Sequence, residues 1–124
     1  MIEGSCHCGA VRWRFDAVPT HLTNCNCSIC RRIGGLWAYG TLATVSVTAA
    51  QGATLGYVQG DRSLATHSCR TCGCTTHWLS LTDDGPATRI AVNMRMADPG
   101  DWAGIRVRRF DGADTWEFLD EARR

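Results

Sequence analysis

Lysine is absent from this chain, and all thirteen basic residues among its 124 are arginines. Schiff-base chemistry through a side-chain amine is thereby excluded, so any carbonyl chemistry falls to thiolates, metal, Arg, His or a bound cosubstrate. A charge excess is also missing. The formal net charge is +1, and the only basic tail is Arg123-Arg124, so electrostatics give a nucleic-acid partner no support. No apolar run is long enough to span a membrane, and Met1-Ile2-Glu3-Gly4 lacks the charged and apolar regions of a signal peptide. The expectation is a cytoplasmic protein with no membrane partner. Repeats, linkers and low-complexity segments are absent too. A chain of 124 residues supports a modest core, and residues 1–124 read as a single domain.

What the chain has is cysteine, eight in all. In a reducing compartment that number points to metal or redox chemistry rather than to a disulfide framework. Three fall in the run Cys25-Asn26-Cys27-Ser28-Ile29-Cys30-Arg31-Arg32-Ile33-Gly34-Gly35. Cys25 and Cys27 are too close for an easy disulfide, yet both thiolates can reach one ion. Ser28 is placed as the N-cap of a short helical turn over 29–33 that Gly34-Gly35 ends. Cys30 then lies in the first turn, where free backbone N–H groups favour a thiolate. Three thiolates are one short of a closed tetrahedral zinc site.

Elsewhere the pattern is that of strands. Val11, Trp13 and Phe15 alternate with Arg12, Arg14 and Asp16, the period of a half-buried strand. Residues 44–48 read as a strand by composition. Residues 75–81 alternate as well, and Ile90, Val92 and Met94 alternate with Arg89, Ala91, Asn93 and Arg95. Asp83-Asp84-Gly85-Pro86 and Asp98-Pro99-Gly100 are turn signals, and 62–67 lead into Cys69. Trp116 and Phe118 are expected to dock back onto the core. With only one helical segment, the fold class is mainly β and mostly antiparallel.

The remaining cysteines fall in Cys6-His7-Cys8-Gly9 and Cys69-Arg70-Thr71-Cys72-Gly73-Cys74. Cys8 and Cys72 are each followed by glycine, as suits a tight turn that aims backbone N–H groups at a bound sulfur. The matching chemistry groups Cys6, Cys8, Cys69 and Cys72 as one four-thiolate site pinning the N-terminus to the middle of the chain. The triad Cys25, Cys27 and Cys30 is left to a second metal, open to water, substrate or a fourth side chain. Spacing leaves Cys74, His67 and His77 as candidates to close it, and buried structural thiols as the bland alternative.

With these residues assembled, the chain resembles the glutathione-dependent formaldehyde-activating enzyme family, which includes the domain of centromere protein V. The resemblance rests on Gly4-Ser5-Cys6-His7-Cys8-Gly9, Cys25-Asn26-Cys27-Ser28-Ile29-Cys30-Arg31 and Cys69-Arg70-Thr71-Cys72-Gly73. Val92-Asn93-Met94-Arg95 and Phe110-Asp111-Gly112 add weaker signs. It implies a β-tent of short antiparallel sheets stapled by two Zn²⁺ ions. It also implies that Cys6, Cys8, Cys69 and Cys72 hold the structural zinc, and that Cys25, Cys27 and Cys30 hold the catalytic one. Ser68 stands where the family often has an aromatic residue, and Cys74 where a small hydroxylated one is usual.

Three thiolates on zinc carry a net charge of −1 and make a poor Lewis acid, so hydroxide generation is disfavoured. A thiol as fourth ligand suits such soft chemistry. The resemblance accordingly implies a carbon–sulfur lyase that adds glutathione or a similar thiol to formaldehyde or another small aldehyde, or runs the reverse. Arg31 and Arg32, just past the ligand run, are assigned to substrate carboxylates or a developing alkoxide. The alternative is a non-catalytic zinc-binding scaffold. A homo-oligomer is compatible with the sequence.

Overall fold

The computed structural model describes residues 1–119; Arg123 and Arg124 lie outside the described residues. Ten strands form two sheets. The smaller has the order β1-β2-β5, from β1 (Ile2–Ser5), β2 (Val11–Phe15) and β5 (Val45–Ala49). The larger has the order β10-β3-β4-β9-β8-β7-β6. Its strands are β3 (Leu22–Cys25), β4 (Trp37–Thr41), β6 (Thr54–Val58), β7 (Leu64–Cys69), β8 (Thr75–Ser80), β9 (Arg89–Asn93) and β10 (Val107–Phe110). The fold is mainly β, as the sequence indicates. One pairing departs from the antiparallel rule: β10 runs parallel to β3, with Phe110 beside Cys25.

β2 behaves as its alternation predicts, with Val11, Trp13 and Phe15 buried and Arg12 and Arg14 exposed. Trp13 and Phe15 join Ile2 and Val45 of the small sheet in the main core, against Leu22, Ala38, Ile90 and Val92 of the large one, while Val11 packs with Cys6 and Cys69. β9 departs from simple alternation, because Ala91 and Asn93 are buried as fully as Ile90 and Val92. The register explains it. Tyr39 lies beside Ala91, Ala91 beside Trp78, and Trp78 beside Thr66. Successive side chains on a strand point to opposite faces, so this row lies on the face away from the core, where the larger Tyr39 and Trp78 flank the small Ala91.

Helix α1 (Cys30–Ile33) is four residues long. Ser28 does not cap it: the N-cap position is Ile29, already in right-handed helical geometry and making no side-chain cap hydrogen bond. The sulfurs do that work, since the Cys30 N–H points at Cys27 Sγ at 3.4 Å. Gly34 ends the helix as expected, at φ 71°, its N–H donating to the Cys30 carbonyl. A second short helix, α2 (Pro99–Trp102), occupies what the sequence reads as a turn; Asp98 caps it by accepting from the Gly100 N–H. Residues 62–67, read as a lead-in, mostly belong to β7. No helix among the described residues is long and apolar enough to cross a membrane.

Candidate metal centres

The eight cysteines are all free thiols, and seven fall into two groups. Cys6, Cys8, Cys69 and Cys72 bring their sulfurs within 4.8 Å of one another. Cys6 and Cys8 sulfurs are 3.7 Å apart, and those of Cys8 and Cys69 3.6 Å. Sulfurs ~2.3 Å from a tetrahedral ion lie about 3.8 Å from each other, so the donor set fits such an ion. The two hairpins repeat one device. Gly9, at φ 84°, donates its N–H to the Cys6 carbonyl, and Gly73, at φ 80°, donates to that of Cys69. An L side chain strains at such angles, which is why glycine follows Cys8 and Cys72. The turns aim the Val11 N–H at Cys6 Sγ (3.2 Å) and the Thr71 N–H at Cys69 Sγ (3.4 Å). Such bonds stabilise sulfur as thiolate. Backbone N–H groups of Cys74 and Cys8 hold the Cys72 thiol down to about 5.

Cys74 joins this neighbourhood rather than the other. It packs against the buried cluster of Cys6, Val11 and Cys69, together with Cys72. His67 and His77 belong to neither group. Their rings stack 4.8 Å apart, with Nδ1 of each engaged by a threonine hydroxyl: Thr54 at 2.9 Å and Thr76 at 2.8 Å. Burial, followed by the charge of His67, holds the His77 imidazole down to about 4.

Cys25, Cys27 and Cys30 form the second group, their sulfurs again within 4.8 Å of one another. The Cys27 N–H points at Cys25 Sγ at 3.4 Å. Cys25 is held down to about 5, first by the Cys30 thiol as hydrogen-bond donor, while Cys30 is pushed far up by the same contact and by burial. Crowded thiols sharing protons in this way can exchange them for one cation. Among the described residues no fourth His, Cys, Asp or Glu completes the group.

Instead, the triad forms one end of a cavity of about 520 Å³. Its floor is the outer face of the large sheet: Trp37 and Tyr39 from β4, Arg89 from β9, Trp78 from β8 and Thr66 from β7. Trp37 is buried, and its indole N–H has no hydrogen-bond partner. Burial pushes the Tyr39 hydroxyl up; the Cys25 and Cys30 charges act the same way and Arg89 opposes them.

The segment after β10 closes over the triad. Asn26, inside the cysteine run, donates to Asp111 Oδ1 at 3.0 Å and accepts from the Ala113 N–H at 3.0 Å. Asp111 Oδ2 accepts from the Thr115 N–H and hydroxyl at 3.1 and 2.8 Å. Gly112 is thereby pressed against the sulfurs, and a Cβ there would meet Cys25 Sγ at 2.6 Å. Phe118 packs on Phe110, as does Trp116, but Trp116 is 71% exposed and lines the cavity instead of entering the core. Arg31 and Arg32, assigned to substrate from sequence, are exposed and line no part of this cavity; Arg32 donates to the Ser28 carbonyl. The cation that does line it, Arg89, gave no local sequence signal.

The chain is similar to known proteins in sequence and in fold. A crystal structure of a Rhodobacter sphaeroides protein superposes with a TM-score of 0.66 at 29% identity, covering 86% of this chain and 99% of that one. A Halomonas elongata protein, provisionally named a glutathione-dependent formaldehyde-activating enzyme, is 29% identical over 133 residues, covering 90% of this chain and 85% of its own. The family model described as glutathione-dependent formaldehyde-activating enzyme matches residues 1–104, which contain all eight cysteines and Arg89. On that match the chain belongs to the glutathione-dependent formaldehyde-activating enzyme family.

Proposed function

We propose that the chain is a zinc-dependent enzyme of the carbon–sulfur lyase type, joining a small thiol to formaldehyde or another small aldehyde, or running the reverse. The observation that carries this reading is the asymmetry of the cysteine groups: four thiols close on themselves, whereas three stand at the wall of a cavity. In this reading Cys6, Cys8, Cys69 and Cys72 hold a structural zinc, and Cys25, Cys27 and Cys30 a catalytic one. A zinc ion on the triad supplies an open, soft position that favours an incoming thiol as thiolate.

The chain's own residues do the rest. Aromatic rings of Trp37, Tyr39, Trp78 and Trp116 exclude water from the reacting sulfur and orient the organic body of the thiol. The reaction forms a carbon–sulfur bond and moves the thiol proton to the aldehyde oxygen, with no net proton change. The protonated Tyr39 hydroxyl, on an exposed side chain that lines the cavity, is the donor assigned to that oxygen as it gains charge.

Cobalt-substituted protein tests the reading. Adding 2-mercaptoethanol or glutathione should alter the sulfur-to-metal charge-transfer band, and adduct formation with formaldehyde should outrun the uncatalysed background. Cys27→Ser should remove both effects. A spectrum indifferent to every thiol would replace the enzyme with the scaffold reading.

A further inference from the structure

We infer that Arg89 is a specificity-determining residue that anchors a carboxylate of the thiol substrate, selecting an extended, acid-bearing thiol over a short one. The inference rests on the proposed function for the thiol and adds the residue and the dimension that choose it. Arg89 is the cation that lines the cavity holding the cysteine triad. Its guanidinium lies over the Trp78 ring, 5.8 Å from its centre, a cation–π contact that leaves its N–H donors unoccupied. The side chain makes no hydrogen bond or ion pair to any described residue; the Arg14–Asp16 ion pair lies elsewhere. An exposed guanidinium with free donors, lining a cavity, suits a carboxylate.

The sheet register sets the length of the ligand. Thr23 lies beside Trp37, and the antiparallel course carries Cys25 toward the start of β4. Arg89 lies beside Thr41, at the far end of the same strand. Trp37 to Thr41 alone spans about 13 Å at ~3.3 Å per residue. Arg89 leans back toward Trp78 and shortens the gap, while Cys25 lies beyond Trp37 and lengthens it. A mercapto acid of two or three carbons cannot reach from one end to the other; a peptidyl thiol can. Tyr39, which feels both the triad and Arg89, lies along the way.

Calorimetry on the protein as isolated tests this with four probes: 2-mercaptoethanol, 3-mercaptopropionate, glutathione and S-methylglutathione. Glutathione should bind about tenfold or more tightly than either short thiol, as expected for a charge-assisted bidentate contact. Arg89→Gln should erase most of that advantage and leave 2-mercaptoethanol within about twofold, and Arg89→Lys should recover part of it. Arg31→Gln should change nothing. S-methylglutathione has no thiol to ionise, so its binding isolates the anchor: it should be weak in wild type and lost in Arg89→Gln. Equal weakening of all ligands by Arg89→Gln, or none for glutathione, overturns the anchor. An equal gain for 3-mercaptopropionate overturns the length requirement. If S-methylglutathione binds through Arg89 while no thiol perturbs the cobalt spectrum, the anchor stands and the thiol chemistry of the site falls.

Discussion

The two cysteine groups use the same side chain and differ in everything around it. Cys6, Cys8, Cys69 and Cys72 come from two hairpin turns far apart in sequence, and each turn spends its glycine on aiming backbone N–H groups at sulfur. Cys25, Cys27 and Cys30 come from one short run, with one flank on a strand edge and the other on a single helical turn. The first group replaces core that a small domain lacks, joining β1 and β2 to the β7–β8 hairpin. The second touches a cavity and is covered by a segment held by Asn26 and Asp111. In the proposed reading, the number of thiols follows from surroundings: closure where the chain needs a staple, and a free side where a ligand can enter.

The sharpest way to break that comparison is mutation of one ligand from each group. Cys72→Ser should lose cooperative unfolding or drop the melting temperature severely, because a closed metal site contributes folding energy outright. Cys27→Ser should keep a near-normal melt and lose one equivalent of metal. Equal damage from both, read by circular dichroism and metal analysis, would erase the distinction.

Gly112→Ala should come next. The added methyl meets Cys25 Sγ and, at 3.2 Å, Cys27 Cβ. It should displace the covering segment and weaken metal retention by the triad, leaving the four-cysteine site untouched. Stepwise chelation followed by metal analysis reads the two sites separately.

A smaller effect comes from His77, which lies on the core side of the same sheet. Its imidazole titrates near 4 when folded, against 6.5 ordinarily, so between those values the unfolded chain binds more protons. Stability from this group is complete above about pH 6.5 and falls as the pH drops toward 4, by an amount on the order of 3 kcal/mol. His77→Gln should flatten that part of the profile in denaturant titrations.

The smallest change is expected from Ser28→Ala. Its hydroxyl makes no cap, so the melt should stay within about 0.5 kcal/mol of wild type, as for an ordinary surface substitution.

The cysteine grouping was legible because ligand chemistry is local: a glycine behind Cys8 or Cys72 states its turn without reference to the rest of the chain. β2 was legible for the same reason, with one face in the core and the other in water. Ser28 misled because a hydroxyl cap is only one way to satisfy a first helical turn, and here Cys27 Sγ takes that place. Arg89, Trp78 and Tyr39 could not be assembled from sequence. They lie on three strands and become neighbours only through the register of β4, β9 and β8. Nothing local told Arg89 apart from Arg31 or Arg32, which stand beside Cys30 yet do not line the cavity.

The large sheet has no idle side, and this bears on how the protein can change. Along β9, Ile90 and Val92 belong to the core, while Arg89, Ala91 and Asn93 alternate with them on the opposite face. Two vocabularies are thus written in alternate letters of one short word. Substitutions at Ile90 and Val92 should be read in melting curves, and those at Arg89, exposed and lining the cavity, in ligand preference. The cavity face can thus change at Arg89 without touching the core, while a shift of one residue in register would exchange both vocabularies at once.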